Sequence, residues 1–66
     1  MPRKPYRLTE ITDHLWRLDR WEAAERRWTF LDLYPDQGAA EQAVPPGQRL
    51  QIDVVPMARH WRLLTP

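Results

Sequence analysis

Sixty-six residues, no cysteine and a formal net charge of +1 bound what this chain can be. It is one domain at most, and a domain this small buries only roughly 60% of the surface its unfolded chain exposes, which leaves a narrow stability margin. Disulfides and cysteine-ligated zinc are excluded, so large side chains or a second subunit must supply the stability.

Four Trp, two Tyr and one Phe suit the first route, since each aromatic ring buries about 150–250 Å². The small net charge conceals a pattern. Arg3, Lys4 and Arg7 open the chain, residues 9–41 are rich in acids, and Arg49, Arg59 and Arg62 outnumber Asp53 at the end. Basic ends around an acidic middle argue against one broad phosphate-binding face. Nine arginines against a single lysine fit a GC-rich coding sequence, which weakens any inference from arginine number alone.

Residues 1–5 contain two prolines and read as a flexible basic arm, with residues 6–66 forming a single α+β domain. The arm is not followed by the apolar run of a signal peptide, and no apolar stretch is long enough to cross a bilayer. The expectation is a cytoplasmic protein without membrane contact.

From Leu8 to Leu18 two periodicities compete. Leu8, Ile11, Leu15 and Leu18 keep helical spacing with Thr9 as a cap, whereas His14, Trp16 and Leu18 alternate as a strand. The next segment favours the strand. Trp21 and Trp28 bracket a polar loop, and Trp28-Thr-Phe-Leu-Asp-Leu-Tyr34 is rich in strand-favouring residues. Closing a hairpin over Ala23–Arg26 sets Trp21 opposite Trp28 and Glu22 opposite Arg27. A plain continuation of that register puts Trp16 and Leu18 with Leu33 and Leu31 on the core face, and Arg17 opposite Asp32 on the other. The competing reading is a helix over Asp19–Arg27, with Asp19 and Glu22 as its capping box.

Pro35 ends the strand, and Asp36 then caps a short helix from Gln37 to about Val44, with Ala40, Ala43 and Val44 facing inward. Pro45-Pro-Gly47 stops it. Leu50, Ile52 and Val54 alternate as a strand, Pro56–Arg59 turns the chain, and His60–Leu64 returns, bringing Trp61 and Leu63 to the core. The expected fold is therefore a small antiparallel sheet of two hairpins, in β-β-α-β-β order, with one short helix packed on its apolar face.

The chemistry is sparse. His14 and His60 are the only histidines, Ser and Cys nucleophiles are lacking, and two glycines cannot build a phosphate cradle. Asp13 beside His14 has no second ligand pair at metal spacing. The expectation is a protein without catalytic, metal, cofactor or small-molecule site. The residues that stand out as a partner-binding surface are Arg17, Trp21, Arg27, Trp28, Phe30 and Tyr34, with Leu15 on the same face. Aromatic rings and arginine are favoured at interface centres, so protein contacts or self-association as a homodimer lead. The alternative is a nucleic-acid-binding domain that uses the same aromatic–arginine face to stack bases and neutralise phosphates.

Overall fold

The computed structural model describes residues 4–56. Strand β1 spans Tyr6–Thr12, β2 Leu15–Glu22 and β3 Arg27–Tyr34; helix α1 covers Gln37–Gln42, a 3-10 helix covers Pro46–Gln51, and β4 runs Ile52–Pro56. The strands form one sheet in the order β3-β2-β1-β4. The first three make an antiparallel meander, but β4 lies parallel to β1, with Tyr6 beside Ile52 and Leu8 beside Val54. The sheet is thus mixed rather than purely antiparallel, and of the two expected hairpins only the one closing on Trp21 and Trp28 lies in the described residues. The second hairpin's return, with Trp61 and Leu63, lies outside them.

The segment with two competing periodicities contains two strands and no helix. Thr12 faces Leu15 across an Asp13-His14 turn, and the His14 amide donates to Thr12 Oγ1 at 3.2 Å. Neither turn residue takes a positive φ, so this is not the mirror-image turn whose twist suits a two-residue hairpin. A bulge at Ile11 accompanies it, and the extra residue absorbs the mismatch. The second turn, over residues 23–26, holds Arg26 at φ 53°, a left-handed conformation that strains a residue with a Cβ. The Asp19–Arg27 helix is likewise replaced by strands on either side of that turn.

β3 also carries a bulge. Asp19 faces Phe30 and Leu18 faces Asp32, so Leu31 is the surplus residue. Beyond it every side chain of β3 changes face relative to an unbroken register. Trp16 therefore meets Tyr34 rather than Leu33, and Arg17 meets Leu33 rather than Asp32. Leu31 and Leu33, expected in the core, are 43% and 44% exposed. Leu50 is 96% exposed, because it belongs to the 3-10 helix and not to the following strand.

What remains inside is a compact set on one sheet face: Leu8, Trp16, Leu18 and Ile52 from the strands, against Ala40 and Val44, with Tyr6 and Tyr34 packed at the margin. The helix that supplies the lid starts as the sequence implies. Asp36 Oδ1 accepts the Ala39 amide at 2.7 Å, and Ala43 and Val44 donate back to Ala40 and Glu41 in a tightened last turn. Ala43 itself is exposed.

Two stability measurements check this account. Leu18→Ala, at the centre of the core, should cost about 2–5 kcal/mol in chemical denaturation, enough to leave little folded protein. Arg26→Gly should be neutral or stabilising by up to about 1 kcal/mol, because glycine removes the left-handed strain, whereas the β-branched Arg26→Val should lower the melting temperature.

Candidate functional site: the second face of the sheet

The helix and the core occupy one side of the sheet. Strand pairing fixes what lies on the other. One row across the sheet reads Phe30, Asp19, Arg7, Asp53; the next reads Leu33, Arg17, Thr9, Val55; the Trp28–Trp21 pair forms the row on the other side of the first. An antiparallel sheet with a solvated face ordinarily lines it with polar residues. This one carries two tryptophans, a phenylalanine, a leucine and a valine.

The tryptophans meet as the hairpin register requires, with ring centroids 5.4 Å apart in an edge-to-face arrangement. Such a pair contributes about 0.5–1.5 kcal/mol beyond the area it buries. Beside them the face is organised by a carboxylate. Asp19 is fully buried although it points away from the core. Arg17 Nε donates to Asp19 Oδ1 at 2.9 Å and Arg7 donates to Oδ2 at 3.5 Å, one arginine to each oxygen. Each guanidinium also lies over a ring, Arg7 4.4 Å from the Trp28 centroid and Arg17 5.1 Å from that of Phe30. A buried carboxylate is tolerated only when its charge is paired and its lone pairs are used. Here the charge is paired twice and each oxygen accepts one hydrogen bond, and the rings beneath the cations add to the attraction. One donor is left over: Arg7 Nε is buried without an acceptor among the described residues.

Two further arginines are paired with acids near them in the chain. Arg20 donates to Glu22, and that hydrogen bond, with the attraction of the same carboxylate, holds its pKa above the usual arginine value. Arg27 pairs with Glu25.

Of the residues singled out from sequence, the structure brings Arg17, Trp21, Trp28 and Phe30 together on this face. Tyr34 is not among them. The bulge at Leu31 turns it to the helix side, where it pairs with Trp16 and packs on the core. Arg27 sits opposite Glu22 at the hairpin end, in register with the helix-side residues of β2, and Leu15 is at the far end of β2. Sequence reasoning missed Arg7 and Asp19. The signal for Asp19 was its place between Arg17 and Trp21 on alternate positions of one strand, which puts all three on one face.

The described residues contain no group of three or more His, Cys, Asp or Glu that could hold a metal ion, and no helix among them is long and apolar enough to cross a membrane. No protein-family model, curated protein or solved structure matches the chain.

Replacing the carboxylate probes the arrangement directly. Asp19→Ala should cost about 1–3 kcal/mol, because it strips both arginines of their acceptor and leaves two cations side by side. The readout is the urea midpoint, together with loss of the near-ultraviolet circular-dichroism signal of Trp28 as Arg7 comes off its ring. An unchanged midpoint and spectrum would mean that Asp19 does not organise the face.

Proposed function

We propose that the domain acts by binding, in a regulatory or adaptor role rather than as an enzyme, and that the second face of the sheet is its protein-docking surface. The observation that carries this reading is the double engagement of Arg7 and Arg17, each on Asp19 and each over an aromatic ring. A surface that binds single-stranded nucleic acid needs rings open to bases and cations open to phosphates. Here a guanidinium lies over Trp28 and another over Phe30, and the charge of those groups is partly spent on a carboxylate.

The exposed remainder is better suited to protein. Phe30, Leu31 and Leu33 are each between two-fifths and half exposed, next to arginines whose rotamers are already fixed. Immobilised arginine and aromatic groups lose little entropy on binding and are favoured at interface centres. The cysteine-free composition is compatible with a reducing cytoplasmic setting.

Titration with short single-stranded DNA and RNA at several salt concentrations tests the choice, with tryptophan fluorescence as the readout. The expected result is no binding at physiological salt. An affinity that climbs steeply as salt is lowered would overturn the protein-docking reading in favour of nucleic acid.

A further inference from the structure

The rows of the second face carry information about what it accepts. Taking the residues in strand order β3, β2, β1, β4, one row is apolar, acidic, basic, acidic (Phe30, Asp19, Arg7, Asp53), and the next is apolar, basic, polar, apolar (Leu33, Arg17, Thr9, Val55). Their formal charges cancel, so neither a strongly acidic nor a strongly basic partner is selected. The pattern is complementary to its own reversal. A two-fold axis running along the strands between β1 and β2 lays one sheet over another with β3 above β4 and β2 above β1. Leu33 then faces Val55 of the second copy.

The same operation brings Asp53 of the second copy over Phe30. In a single chain that place is not bare ring, because the Arg17 guanidinium lies over it, 5.1 Å from the centroid. Arg17 uses Nε on Asp19. Its side chain is 45% exposed, and a guanidinium can take a carboxylate through its two terminal nitrogens. Asp53 is exposed and sits on the same face.

We propose that the occupant of the docking face is a second copy of this chain, packed sheet on sheet, with Arg17 and Asp53 exchanged across the two-fold axis. The inference rests on the protein-docking reading and adds to it the partner and the register. Aligned sheets pack about 10 Å apart through interdigitating side chains, and isologous contact of this kind is the commonest way for a chain to form a closed dimer. Each half brings a helix on its outer side, so the assembly has four layers with helices outside and sheets within.

The β3 edge of the sheet is protected against strand addition by a second chain. The bulge at Leu31 interrupts the ladder, and the Asp32 carboxylate takes the Leu33 amide at 2.8 Å. Bulges and edge charges of this sort discourage strand addition.

Sedimentation equilibrium of the full chain tests the proposal. The wild type should be dimeric at micromolar concentration. Asp53→Arg sets like charges against each other at both ends of the contact and should weaken the dimer at least about tenfold at low salt, less at high salt. Leu33→Glu should leave a folded monomer by circular dichroism, and Leu50→Glu, on the exposed 3-10 helix, should change nothing.

A wild type that stays monomeric at about 1 mM overturns the second copy as occupant. If that monomer also ignores oligonucleotides, the protein-docking reading stands with another partner. If it binds them with a steep salt dependence, both fall. A dimer indifferent to Asp53→Arg and Leu33→Glu, or broken by Leu50→Glu, uses another surface and overturns the proposal.

Discussion

A single carboxylate on the side of the sheet away from the core sets the character of this domain. Asp19 is as inaccessible to water as Leu8 and Leu18 on the other side, yet no helix among the described residues covers it. Its cover is made of side chains: two guanidinium groups laid over it, each resting on a ring. Desolvating an anion in this way is costly unless the cations are close and held. The arrangement ties β1, β2 and β3 together through contacts that no backbone ladder provides, since Arg7 reaches from β1 across β2 to a ring on β3. With six buried apolar residues in the core among the described residues, two of them alanine and valine supplied by the helical segment, a second layer of cross-strand contacts is a substantial share of the packing.

The division of labour between the two faces follows from one surplus residue. Without the bulge at Leu31, Leu33 would lie with Trp16 and Tyr34 would point outward. With it, the tyrosine closes the core and the leucine joins Phe30 on the second face. The bulge therefore sorts two large residues into opposite roles, and it does so within a strand whose sequence alternates smoothly.

Those bulges also mark where the sequence stops being legible. The hairpin between β2 and β3, the Trp21–Trp28 pair, the Asp36 cap and the stop at Pro45 could all be read from local chemistry, because each depends on neighbours in the chain. A bulge breaks the period-two rule on which register reading depends. At Ile11 it spaces Leu8 and Ile11 by three, which imitates a helix and hid β1 among helical alternatives. At Leu31 it moved two leucines out of the expected core and one tyrosine into it. The parallel pairing of β4 was hidden for another reason: nothing local distinguishes a strand that returns beside β1 from one that waits for a hairpin partner. The candidate site was half visible. The aromatic rings and Arg17 stood out by type, whereas Arg7 came from a segment with no assigned strand, and Asp19 looked like an ordinary surface acid.

The parallel contact between β1 and β4 also fixes an order of events as the chain folds. Tyr6 to Tyr34 closes through two short turns, so the meander needs only local contacts and forms early. β4 must then come back from the far end of the described chain to lie beside Tyr6 and Leu8, and until it does, one side of β1 is an unpaired edge next to the buried Leu8 and Leu18. An uncapped edge of that kind is open to pairing with another chain. The short crossover through α1 and the 3-10 helix limits how long that exposure lasts. Lengthening the crossover would extend the window for misassembly even where the finished fold is no less stable.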